Sequence, residues 1–254
     1  MTITRDQLTH YLTKLLKPEL YQDYGPNGLQ IEGTEEVKKI AFAVSATRNS
    51  INECIEQKAD ALIVHHGLFW KFHGVRTLTD SFGKRVLPLA RHHVNLYSYH
   101  LPLDAHLECG NAATLAKKIG LTKLSAFGDH KGMPTGVKGV FQKPLRPCEL
   151  KEKLEGLLDH QVLHSAPQDK VISSMGIITG GANGDWVHAQ TAKLDAYLTG
   201  EMSEHDWHEA QEGGVHMFAG GHHATEKFGI QALQKMIEEE FSIETLYIDS
   251  PNPA

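Results

Sequence analysis

Short apolar runs alternate with amphipathic segments along nearly the whole chain, and this alternation restricts the fold more than any other feature. Thr4 is placed to cap a helix over 5–16, where Leu8, Tyr11, Leu12, Leu15 and Leu16 share one face. Residues 37–44, 61–64 and 94–99 read as buried strands, with helices predicted over 49–56, 80–91 (through Pro88) and 111–119. A segment rich in glycine and proline, about 126–135, reads as a boundary. Beyond it, strands are expected near 137–141, 161–164, 174–179, 196–199, 215–219 and 243–248. Helices start at Pro147 and about 185, and span 203–211 and 224–240. Strand followed by helix, repeated, predicts an α/β protein with largely parallel sheets, one in each half. The 254 residues suffice for two such domains, 1–125 and 126–254, the last strand or helix being free to pack on the first.

Composition excludes several functions. Lys and Arg total 25 against 31 Asp and Glu, a formal charge of −6 that opposes general nucleic-acid binding. No apolar stretch approaches the ~18 residues of a membrane span, and the opening residues lack the pattern of a secretory signal. Three dispersed cysteines, Cys54, Cys109 and Cys148, suit a reducing compartment and exclude a thiolate-rich zinc module. The expected location is cytoplasmic. What the chain does carry is 17 histidines, several of them clustered.

Three clusters fall where predicted strands end, the edge at which α/β sheets gather functional groups. They are Val64-His65-His66-Gly67, His100-Leu101-Pro102-Leu103-Asp104, and Gly221-His222-His223-Ala224-Thr225-Glu226. His222 and Glu226 are four apart on a predicted helix and share a face. His65, His66, Asp104, His222 and Glu226 make a donor set too large for one tetrahedral zinc with an open position, and suited to two ions sharing a carboxylate. Taken singly, each cluster also fits a solvated or hydrogen-bonded surface group. His92-His93, at a predicted helix end, is read that way. Gly180-Gly181-Ala182-Asn183-Gly184 is read as a plain glycine turn in preference to a phosphate-binding segment, because it lacks the lysine and spacing of a phosphate loop.

The motifs together resemble the GTP cyclohydrolase I type 2 homologue family, the NIF-three-like dinuclear metal-centre proteins, in its compact form without an inserted middle domain. The resemblance rests on Tyr24-Gly-Pro-Asn-Gly-Leu-Gln-Ile31, Ile63-Val-His-His-Gly67, His100-Leu-Pro-Leu-Asp104, Thr199-Gly-Glu201 and Gly221-His-His-Ala-Thr-Glu226. It implies two α/β domains with a dinuclear site in the cleft between them. It assigns His65, His66, Asp104, His222 and Glu226 as metal ligands, with Glu226 bridging two divalent ions. Zn, Fe, Mn, Co and Ni all suit imidazole and carboxylate donors. His100, Glu201 and, less directly, His205 fall on motif positions beside the site, which gives them catalytic or substrate-facing roles. Ser45 stands where many family members carry an aspartate.

The resemblance further implies a homohexamer and a hydrolase acting on a small anionic substrate, a nucleotide or purine ring. In the cyclohydrolase reaction, water activated by the ions attacks C8 of the guanine base and formate leaves, with His100 or Glu201 carrying the proton. The same donor set also suits a phosphoesterase, an amidohydrolase, or a non-catalytic metal-binding scaffold.

Overall fold

The computed structural model describes residues 1–167 and 169–254. Its strands are β1 (Ile3–Thr4), β2 (Gly28–Ile31), β3 (Glu36–Val37), β4 (Lys39–Ser45), β5 (Ala61–His66), β6 (Asn95–Ser98), β7 (Leu121–Phe127), β8 (Gly136–Leu145), β9 (Leu163–Ser165), β10 (Ile172–Ile177), β11 (Ala196–Thr199), β12 (His216–Ala219) and β13 (Glu244–Tyr247). The helices are α1 (Arg5–Leu16), α2 (Arg48–Glu56), α3 (Asp80–Arg91), α4 (Leu101–Asp104), α5 (Asn111–Ile119), α6 (Pro147–Leu158), α7 (Trp186–Thr191), α8 (Glu204–Glu212) and α9 (His222–Phe241). Contacts divide the chain into Met1–Leu103 with Ile230–Pro251, and Asp104–Gly229 with Asn252–Ala254.

The first unit holds a five-stranded sheet in the order β13-β4-β5-β6-β2. β13, β4, β5 and β6 are parallel, and only β2 runs antiparallel at the edge. Parallel strands must be covered on both faces, which explains the unbroken apolar run of β4 and β5. Ile51 and Cys54 of α2 and Phe82, Val86 and Leu89 of α3 pack with Ala41, Ala43, Leu62 and Val64. α1 starts as the sequence predicts: Thr4 Oγ1 accepts from the Gln7 backbone N–H at 3.1 Å, and Gln7 Oε1 accepts from the Thr4 N–H at 2.8 Å. Leu62 is fully buried, so Leu62→Ala is expected to cost about 3 kcal/mol. Urea unfolding would show it as a lower midpoint at unchanged slope; a loss below about 1 kcal/mol would contradict close packing at this site.

The second unit contains a six-stranded sheet in the order β7-β8-β10-β11-β12-β9. β10, β11 and β12 are parallel, whereas β7, β8 and β9 join antiparallel, so this sheet is mixed rather than largely parallel. The glycine- and proline-rich segment is the loop of the β7–β8 hairpin, and α5 packs with residues of both strands, so the division falls after Leu103 and not at 125/126. Strand alternation sorts the central residues to the two faces. Ala196, Leu198 and Phe218 pack with α5 and α6, while Tyr197 and Met217 meet Trp186 and Ala189 of α7 and Ala210 of α8. Among the described residues, no helix is long and apolar enough to cross a membrane.

Candidate metal centre

His65 and His66 end β5 and His222 opens α9 soon after β12, at the carboxyl ends of parallel strands, whereas Asp104 ends α4 and Glu226 lies one turn into α9. In the first unit β5 terminates in His65 and His66, with His65 fully buried. Its Nδ1 lies 3.0 Å from the Tyr99 carbonyl oxygen. A carbonyl only accepts, so Nδ1 carries the proton and Nε2 is the lone-pair nitrogen, the tautomer a metal requires. His66 is paired in register with Ser45 at the end of β4, and its Nδ1 sits 3.0 Å from Ser45 Oγ. His100 follows β6, and its Nδ1 lies 2.7 Å from Asp23 Oδ1. Ligand atoms of His65, His66 and His100 all fall within 4.8 Å of one another, and the Trp70 and His100 rings pack perpendicular with centroids 5.1 Å apart.

Asp23 has no part in the sequence reading, although it immediately precedes the Tyr24-Gly-Pro-Asn-Gly motif. Its carboxylate accepts from the Leu101 backbone N–H and from Asn27 Nδ2, each at 2.9 Å, besides His100. Burial alone pushes this carboxyl up; the His100 hydrogen bond and charge, with Asn27 and Leu101, overcome it and hold it at about 2. Asn27 Oδ1 in turn accepts from the His100 backbone N–H at 2.8 Å. The loop residues of that motif thus form the frame that fixes His100.

In the second unit, Asp104 Oδ1 accepts from Asn111 Nδ2 at 2.9 Å and Thr179 Oγ1 at 3.1 Å. The next residue, Gly180, has φ +71°, and a Cβ there would collide with the Glu226 carboxylate and crowd the His222 ring. One short segment therefore touches Asp104 with Thr179 and makes room for His222 and Glu226 with Gly180. His222 and Glu226 stand one turn apart on α9, Nε2 to Oε2 3.3 Å. Glu201, just past β11, accepts from His222 Nδ1 at 2.5 Å, so it is placed as the carboxylate that orients this ring. Burial pushes His222 down, but Glu226 and Glu201 outweigh it and carry the imidazole to about 9. An ion taking Nε2 must displace that proton, which makes binding weaker in acid.

His205 stands apart. Its side chain is 63% exposed and its ion pair is with Asp206 at 3.6 Å, whose carboxylate also accepts from Asn183 and Trp186. His92 and His93 are exposed beyond α3, as the sequence indicates. The donors are of the kind divalent ions take: imidazoles whose Nδ1 is held by a protein oxygen, and the buried carboxylates of Asp104 and Glu226. The cysteines do not belong to the set. Burial pushes Cys54 and Cys109 up to about 12, and Cys148 is exposed. Replacing all three by Ala is expected to leave metal content, read by elemental analysis, unchanged; a loss of bound ion would place a thiolate in the site.

The sequence profile of Duf34/NIF3 (NGG1p interacting factor 3) matches residues 3–253. A Vibrio cholerae serotype O1 protein named GTP cyclohydrolase 1 type 2 homolog is 41% identical over 252 residues, covering 97% of this chain and 98% of its own. A solved structure described as protein ybgI, of unknown function, superposes with a TM-score of 0.93 at 36% identity, over 99% of this chain and 100% of that one. The crystal structure of TTHA1606 from Thermus thermophilus gives 0.89 at 31% identity, over 99% and 100%.

Proposed function

The chain belongs to the Duf34/NIF3 family, and from that premise we propose that it is a metal-dependent hydrolase of a nucleotide or purine ring. The observation that carries this reading is the orientation of the donors. His65 and His222 each have Nδ1 tied to an oxygen acceptor, so Nε2 is the nitrogen that would take an ion, in His222 beside the Glu226 carboxylate and after loss of its proton. With His66, Asp104 and Glu226 they would hold two divalent ions. When bound, those ions supply Lewis acidity that activates water and polarises the substrate.

The protein's own groups supply the rest. Asp23 fixes the Nδ1–H of His100, so Nε2 of His100 is the atom that takes up or delivers a proton. Glu201 holds His222 in place rather than facing substrate. His205, exposed and paired with Asp206, has no part in this chemistry. A small anionic substrate suits an acidic chain whose site is made locally positive by its ions. The Vibrio relative's name points to a cyclohydrolase-like substrate, and we extend that to this chain along with a cytoplasmic setting and a homohexamer.

The test is to incubate metal-loaded protein with GTP and other nucleotides and to follow formate and phosphate separately. Formate release, lost in Glu226→Gln, is the expected result. Phosphate without formate makes the protein a phosphoesterase. No turnover of any nucleotide by loaded protein leaves a metal-binding scaffold and ends the enzymatic reading.

A further inference from the structure

The segment after His66 has a charge unlike that of the chain as a whole. From Gly67 to Thr79 it carries Lys71, His73 and Arg76 and no carboxylate. Two of its aromatic rings form a shelf at the surface. Phe72 is 69% exposed, and its ring stacks on Trp70 with centroids 5.5 Å apart and planes 20° from parallel. The shelf is fixed from below. Trp70 Nε1–H donates to the Gly67 carbonyl at 3.1 Å, and the Lys71 N–H and Nζ donate to the Tyr24 and Asp23 carbonyls at 2.8 and 2.7 Å. Rings held in this way give up little freedom when a ligand stacks on them.

Cations adjoin the shelf. The His73 and Phe72 rings meet with centroids 4.7 Å apart, and His73 Nδ1 lies 3.1 Å from Arg76 Nη1. A guanidinium only donates, so Nδ1 accepts and Nε2 carries the hydrogen. Arg76 lies over the Phe82 ring, Cζ to centroid 4.1 Å, and Phe82 and Arg85 are three apart on α3, so the two guanidiniums are neighbours. Burial and then the Arg76 charge disfavour the charge on Arg85. Among the described residues, neither guanidinium forms an ion pair with a carboxylate. An anion placed there is attracted by both and relieves their repulsion.

We propose that Phe72, Arg76 and Arg85 bind a nucleoside phosphate, with its base stacked on Phe72 and its phosphates held by the two guanidiniums. Base–aromatic stacking tolerates any base, and arginine is the residue suited to phosphate. His73 lies between ring and cations, as a ribose lies between base and phosphate. Trp70 stacks on Phe72 and packs perpendicular to His100, so this surface adjoins the metal centre without sharing its donors. Binding here requires no ion and stands whether or not the metal centre is catalytic.

Calorimetric titration of the full chain with GTP, with a chelator present to keep ions out, reads this surface by itself. Phe72→Ala is expected to weaken GTP about tenfold or more, and Phe72→Tyr to stay within about threefold of wild type. Arg85→Gln should weaken GTP about tenfold while leaving the weaker binding of guanosine within about twofold. Inorganic triphosphate should bind less tightly than GTP and be indifferent to Phe72→Ala. No GTP bound by the wild type, or equal affinity in wild type, Phe72→Ala and Arg85→Gln, would overturn the proposal. A single-stranded oligoribonucleotide bound more than about tenfold tighter than GTP would overturn the assignment to a single nucleotide. GTP held through Phe72 and Arg85 by a protein that shows no turnover when metal-loaded would end the enzymatic reading and leave this surface standing.

Discussion

Protein purified without added metal is expected to carry about two ions per chain, and Asp104→Ala to carry one or fewer. Asp104 is the buried carboxylate of the set that is held from two sides, by Asn111 and Thr179 on the same oxygen, so its direction is fixed before any ion arrives. Truncation removes an anionic donor that no rotamer change of a neighbour replaces. It also leaves Asn111 and Thr179 short of an acceptor, which costs stability of about 1–3 kcal/mol. Asp104→Asn separates the two effects. It keeps the volume and an acceptor oxygen for Asn111 and Thr179 while removing the charge. Metal loss shared by both variants, with most of the stability returned in Asp104→Asn, is the expected pattern. Wild-type metal content in Asp104→Ala, measured by elemental analysis, would remove Asp104 from the ligand set.

The parts of the fold that are local in origin are legible in the sequence. Thr4 and Gln7 sit three residues apart and close their capping box without help from elsewhere, and the apolar runs of β4 and β5 follow from being covered on both faces. β7 is different. Leu121, Leu124 and Phe127 fall three apart, a spacing that does not alternate, because a bulge at Thr122/Ser125 with Lys123 at φ 54° shifts the register. A strand so disguised hides the hairpin, and the hairpin's loop then passes for a domain boundary.

The candidate site divides along the same line. His65, His66 and His222 are visible as clusters at strand ends, since glycines follow or precede them and mark where the chain leaves the sheet. What each ring leans on is invisible, because the partners are distant in sequence: Tyr99 for His65, Ser45 for His66, Glu201 for His222, and Asp23, 77 residues from His100. Periodicity and spacing report which face a residue occupies. They carry no information about which hydrogen-bond acceptor tertiary folding brings to a ring nitrogen, and that acceptor decides whether an imidazole is a ligand, a proton carrier or an exposed group such as His205.

Asp23→Ala is expected to destabilise the protein by about 3–5 kcal/mol, because it removes the buried partner of His100 and strands the Leu101 N–H and Asn27 amide. Asp23→Asn retains the volume and one acceptor and should cost less, but its amide cannot accept every bond the carboxylate takes. The acid dependence separates the charge from the packing. The carboxyl is held at about 2 in the folded protein against an ordinary 3.8, so its ionisation stabilises the fold. That contribution, about 2 kcal/mol, is complete above the ordinary value and disappears as pH falls towards 2. Wild type should therefore lose stability more steeply than Asp23→Asn between pH 4 and pH 2, and the two curves should run parallel above pH 5. Urea unfolding at a series of pH values measures both slopes. Superimposed acid limbs would mean that the Asp23 charge does not hold His100, and the proton-carrying role given to His100 would lose its physical basis.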